Sequence, residues 1–153
     1  MKMSLSDWLK NGGLVEHRTS EREISDLLKA VERDLTDSRT PALSADWKMN
    51  IAYNAALQAA TAALVAAGYR ASREQHHYRV IHSLAYTIEL EDSLIGQFDR
   101  FRVKRNLGTY EPPGMISDHE ATEMIALAVD IRDRCKTWLR KHHSGLLKGV
   151  DGK

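Results

Sequence analysis

The residues of this chain best suited to chemistry are Arg105-Asn106-Leu107-Gly108-Thr109-Tyr110-Glu111. They close a basic, amphipathic stretch and are followed at once by Pro112-Pro113-Gly114. A helix that ends on Arg-Asn, then Gly, holds a guanidinium and a phenol about one and a half turns apart at its C-terminus. Arg offers a planar fork of donors that matches phosphate oxygens, and a phenol adds a neutral hydrogen-bonding group. The pair Arg105 and Tyr110 therefore predicts a grip on a phosphate or a nucleotide. Arg100, Arg102 and Lys104 precede it, opposed only by Asp99. Helical spacing puts Arg102 and Arg105 on neighbouring faces and turns Lys104 elsewhere. The plain alternative is a solvated basic face on which Arg105 pairs with Glu111 or Asp99.

A second set of candidates is His76, His77 and His82, which stand among Arg70, Arg73 and Arg79 near a helix start. Chelating histidines on helices favour i and i+4. The spacings of 1, 5 and 6 here do not give a good pair. The bland reading is polar groups at a helix start with one partly buried His. The sharper one is a phosphate-facing patch that includes His77, at a helix end that attracts anions. His142 and His143, with Arg140 and Lys141, read as a basic helix end that complements the dipole. Asp118-His119-Glu120 reads as an acidic first turn rather than a metal site. Cys135 falls on an apolar stripe, which predicts a buried, inert thiol despite Arg134 and Lys136 beside it. Nucleophilic triads, glycine-rich phosphate loops and carboxylate pairs at iron-site spacing are absent from the sequence, so no metal and no cofactor are expected.

The elements that would position these groups follow from periodicity and caps. Ser20 and Glu23 fit a capping box. Ile24, Leu27, Leu28, Val31 and Leu35 then form one stripe, predicting a helix over 20–37. Ser44 is another N-cap candidate for a helix over 44–68, with Trp47, Ile51, Ala55, Ala59, Ala62 and Ala66 on one face. Its alanines raise helix propensity and let a neighbour approach closely, and Gly68 suits a left-handed C-terminal cap. A third helix over 72–91 carries Tyr78, Ile81, Ala85 and Ile88. A fourth, over 93–106, presents Ile95, Phe98 and Phe101. Ser117 and Glu120 form a third capping box, opening a helix over 117–143 with Met124, Ala128, Ile131, Cys135 and Leu139 inward. Residues 1–18 are expected to be loosely ordered, with Trp8, Leu9 and Leu14 docking as a short turn, and 144–153 to fray. With short connections and no strand signal, the expectation is an all-α, mostly antiparallel bundle of four to five helices over 19–143.

Composition narrows the function classes. The 153 residues suffice for one domain with a real core. A net charge of +1 means that any nucleic-acid surface must be a local patch. The lone Cys135 excludes an intramolecular disulfide or a thiolate metal cluster and fits a reducing compartment. Residues 1–7 lack a signal core. The alanine run 59–67 is too short to span a bilayer, so a cytoplasmic location without a membrane is expected.

At Arg105-Asn106, and across the helices before it, the chain resembles the HEPN superfamily. The resemblance lies in Trp47-Lys48-Met49-Asn50-Ile51-Ala52-Tyr53-Asn54-Ala55-Ala56-Leu57, in Gly68-Tyr69-Arg70, in His76-His77-Tyr78-Arg79-Val80-Ile81 and in Arg105-Asn106 with Tyr110. It covers roughly residues 20–143. HEPN proteins are small helical bundles with an Arg, four to six residues, then a His near one helix end. The Arg is commonly followed by a polar residue, often Asn. Here the last position holds Tyr110. The resemblance implies that Arg105 orients and neutralises a phosphate, that Asn106 helps to position it, and that two copies share the cleft as a homodimer. In HEPN ribonucleases this Arg and His cleave RNA without a metal. A phenol with an ordinary pKa of about 10 is a poor base, so the substitution favours binding over cleavage. The reading is then a HEPN-like domain of a toxin–antitoxin or nucleotidyltransferase-associated system. It binds RNA or a nucleotide at the Arg-x4-Tyr cleft, with Asn106, Arg102, Lys104 and His77 around the phosphate. A nucleotidyltransferase-type antitoxin is the implied partner, and Tyr110 an implied acceptor of nucleotide transfer. The alternatives are an active metal-independent endoribonuclease and a structural helical bundle without a site.

Overall fold

Three serines set the starts of the three longest helices. Ser20, Ser44 and Ser117 each have an extended backbone and accept, through the side-chain oxygen, the N–H of Glu23, Trp47 and Glu120 respectively. Each satisfies one of the free donors of a first turn. At Ser117 the box is complete, because the Glu120 carboxylate accepts the Ser117 N–H in return. At Ser20 it is only half made. The Glu23 carboxylate is taken instead by the Thr19 hydroxyl at 2.5 Å and by His17 Nε2 at 2.8 Å. Ser117→Ala is expected to lower the unfolding free energy by about 1 kcal/mol, readable as a shifted midpoint with unchanged slope in urea unfolding.

The computed structural model describes residues 4–108 and 116–148. Among them the chain is an all-α bundle of six helices with one small sheet. In order these are α1 (Leu5–Lys10), β1 (Leu14–Glu16), α2 (Glu21–Ser38), α3 (Ala45–Ala66), β2 (Tyr69–Ala71), α4 (His76–Ser83), α5 (Asp92–Gly108), α6 (Asp118–His142) and a 3-10 turn at Ser144–Leu147. None of the described helices is long and apolar enough to cross a membrane.

Helix α3 is the axis of the bundle and packs against both α2 and α6. Its alanines at 52, 55, 56, 59, 60, 62 and 63 are fully buried, with Met49 and Tyr53 among them. Small side chains all round let two long helices close on it. The single apolar face expected for this helix is therefore a misreading. Met49, Tyr53, Ala56 and Ala60 are buried as well, and Trp47, expected inward, is 62 % exposed. The α2 stripe is inward as expected, with Ile24, Leu28, Val31 and Leu35 buried. So are Met124, Ala128, Ile131, Cys135 and Leu139 of α6. Cys135 is fully buried, and burial pushes its thiol up to about 12, which makes it inert as a nucleophile.

Of the segment 1–18 expected to be loosely ordered, the described residues 4–18 are built into the fold. Helix α1 opens with a complete capping box between Ser4 and Asp7. Trp8 is 6 % exposed, edge-on to Tyr86 and beneath the Arg79 guanidinium, so it is core rather than an exposed aromatic. Strand β1 then pairs antiparallel with β2, Leu14 opposite Ala71 and Glu16 opposite Tyr69. This sheet, unannounced by any alternating pattern, falls just before the helix expected at 72–91, whose first residues 72–75 are irregular. That helix is in fact α4 alone. After Ser83 the backbone makes successive turns, and Glu89 adopts φ +55° before α5 begins. Gly68 has φ +101° at the end of α3, a conformation a side chain would strain. At Gly13 a Cβ would stand 2.7 Å from Arg79 Nη1, so a side chain there would push the flexible end of Arg79 aside. Leu147 is buried against α2 and α6, which corrects the expected fraying at 144–148. Residues 149–153 lie outside the described residues.

Candidate functional site

The sequence-predicted cations converge, in part, where α3, α4 and α5 meet. Helix α5 brings Asp99, Arg102 and Arg105 along one side through their three-residue spacing. Helix α4 brings His77, Tyr78 and His82. Helix α3 contributes Tyr53 from below, fully buried and edge-on to Phe98 with ring centres 5.5 Å apart.

Tyr53 is the post on which the site is built. Its hydroxyl shares a 3.0 Å hydrogen bond with His77 Nδ1. The Arg105 guanidinium lies over its ring, 5.2 Å from the centre. One buried aromatic thus braces a half-buried imidazole and a partly buried guanidinium from neighbouring helices. Burial pushes the Tyr53 phenol up, against the pull of the Arg105 and Arg102 charges, so it stays protonated. Burial also lowers the pKa of His77, and the positive charges of Arg105, His76 and Arg102 lower it further. At neutral pH His77 is an uncharged ring. Arg105 Nε is buried and has no hydrogen-bond partner among the described residues.

Arg102 is held differently. Its Nε donates to Asp99 Oδ1 at 2.8 Å, and its guanidinium stands 5.6 Å from the Tyr78 ring centre. Tyr78 in turn stacks on His82 at 4.0 Å. His82 Nε2 is 3.5 Å from the same Asp99 oxygen, close enough to pair but without the alignment of a hydrogen bond. Burial works to raise the Asp99 pKa, but Arg102 and His82 outweigh it and hold the carboxyl below its usual range. The acid expected to oppose Arg105 therefore belongs to Arg102.

The remaining predicted residues divide. Lys104 pairs with Glu120 of α6, beside a groove of about 210 Å³ lined by Gln97, Arg100, Phe101 and Glu123. Its charge is thereby spent away from Arg105. Asn106 belongs to α5, but its side chain, like the whole of Tyr110 and Glu111, lies outside the described residues. The Arg105–Tyr110 pairing and the alternative pairing with Glu111 therefore fall there too. Ile116, where the described chain resumes, donates its N–H to Asp46 Oδ1 at the start of α3. His119 pairs with Glu123 at 3.2 Å, and the Glu120 carboxylate completes the capping box of Ser117 at the start of α6. The His142 and His143 rings lie against Trp138, 5.7 and 4.8 Å between centres.

Sequence reasoning found Arg105, Arg102 and His77 but missed Tyr53, Tyr78 and His82 as their supports. The i to i+4 spacing of Tyr78 and His82 was a usable signal for their stacking. Tyr53 carries none, being an aromatic among alanines.

No family model matches the chain, and no curated protein or solved structure is similar to it.

Proposed function

We propose that the chain is a HEPN-like binding module that holds RNA or a nucleotide by phosphate at the Arg105 end of the bundle. It works as a homodimer beside a nucleotidyltransferase-type antitoxin, with Tyr110 at the position of the family's histidine. The observation that carries this reading is the state of Arg105. Its guanidinium rests on Tyr53 and its Nε has no partner among the described residues, whereas Arg102 and Lys104 are committed to Asp99 and Glu120. A planar cation fixed by an aromatic floor and without a carboxylate partner among the described residues is prepared for an anion. The absence of a charged, titrating group at position 110 supports retention of the ligand rather than its cleavage.

The test is binding of a nucleotide and of a short single-stranded RNA to the full chain in EDTA, by calorimetry, with RNA integrity read on a gel. Binding with intact RNA is expected. Arg105→Ala should weaken it about 10- to 100-fold, the effect of losing a charge-assisted contact. Arg105→Ala binding as tightly as wild type, or no binding by wild type, would overturn the proposal.

A further inference from the structure

The pairing of His77 with Arg105 through one tyrosine defines the ligand of this site more narrowly. We propose that Arg105 and His77, both braced by Tyr53, form a proton-coupled clamp for a phosphate monoester, the terminal phosphate of a nucleotide or of an RNA end. This rests on the reading above that the Arg105 end binds phosphate.

Three observations carry it. First, His77 and Arg105 come from different helices but touch the same side chain, one at the hydroxyl and one at the ring face. The two groups are near enough for the Arg105 charge to act on the imidazole, and the clamp has one ligand bridge them. Second, Tyr53 serves both protonation states of His77. A phenol hydroxyl donates to a bare Nδ1 and accepts from a protonated one, so His77 gains a proton without losing its support. Third, the charges count to two. Arg102 is neutralised by Asp99, which leaves Arg105 and a protonated His77 against the ligand. Two positive charges match a monoester, which carries about −1.5 to −2 near neutral pH, better than a diester with one.

The groups facing His77 explain the coupling. They are Tyr53 from α3, His76 from α4, and Arg105 and Arg102 from α5. Without a ligand, burial and these cations hold the imidazole pKa below its ordinary value, which favours the neutral ring. A bound dianion cancels the field of Arg105 and adds an acceptor at Nε2, so His77 takes a proton from solvent as the phosphate enters. The sign follows: above the phosphate's own second pKa of about 6, the ligand binds more tightly as pH falls, by at most about tenfold per pH unit for one proton. Without ligand the same group acts the other way. Its folded pKa lies below the ordinary 6.5, so stability is lost as pH falls through that value and below.

The experiment is calorimetry of AMP binding at pH 7 in buffers of different ionisation heat, which counts protons taken up, with 5′-phosphorylated and 5′-hydroxyl forms of one short RNA as further arms. Wild type should take up a substantial fraction of one proton per AMP. His77→Gln should bind more weakly with that uptake removed, and Tyr53→Phe should bind with reduced uptake. The 5′-phosphorylated RNA should outbind its 5′-hydroxyl form at least tenfold if RNA ends are the source, while AMP alone binding in this way assigns the site to free nucleotides. AMP binding with equal uptake in wild type and His77→Gln overturns the clamp and leaves the phosphate reading standing. Equal binding of the two RNAs, with none of AMP, overturns the monoester assignment alone. No binding by any of the three overturns both.

Discussion

Tyr53→Ala is expected to destabilise the protein by about 3–5 kcal/mol, the cost of deleting a large buried aromatic. The ring is fully buried and packed edge-on to Phe98 of α5 at 5.5 Å. Its loss opens a cavity that the neighbouring alanines are too small to fill. It also leaves the Arg105 guanidinium without a floor. Tyr53→Phe keeps the ring and loses only the hydrogen bond to His77, so a cost of about 1 kcal/mol is expected. Urea unfolding followed by far-ultraviolet circular dichroism separates the two. A Tyr53→Ala protein within about 1 kcal/mol of wild type would contradict the place given to this ring in the core.

The second large effect runs the other way, through excess volume. Ala56→Leu should cost about 1–3 kcal/mol or more, because α3 packs against both α2 and α6 and Ala56 has no exposed surface. Extra methylenes there have no empty space to enter. Trp47→Ala, on the same helix but mostly exposed, should stay within about 0.5 kcal/mol of wild type. Equal stability changes for the two substitutions would show that burial on α3 is not as uneven as these residues indicate.

What could be read from the sequence was what local chemistry decides. Serine caps at 20, 44 and 117 and the stripes of α2 and α6 depend on neighbours within one or two turns. The features that escaped depend on distant partners. Strands β1 and β2 are too short to alternate, and each exists because the other lies beside it. The turns after Ser83, with Glu89 at positive φ, carry neither glycine nor proline to announce them. Trp47 was placed inward because its spacing sets it on one face with Ile51 and Ala55, whereas a helix lined with alanine on every side has no single apolar face to assign. At the site, Arg105, Arg102 and His77 were legible as residue types suited to anions. The pairing of Arg102 with Asp99 was also open to reading, because the two stand three residues apart on α5. Tyr53 was invisible, because its role is created by what two other helices lay on it.

The antiparallel pairing of Leu14–Glu16 with Tyr69–Ala71 has a consequence for biosynthesis. The earlier strand leaves the ribosome long before the later one, with the whole of α2 and α3 translated in between. Until then its unmatched backbone and the indole of Trp8 wait without their partners. The nascent chain therefore cannot seal this end of the molecule in the order in which it is made, and the last stitch there joins its opening residues to its middle.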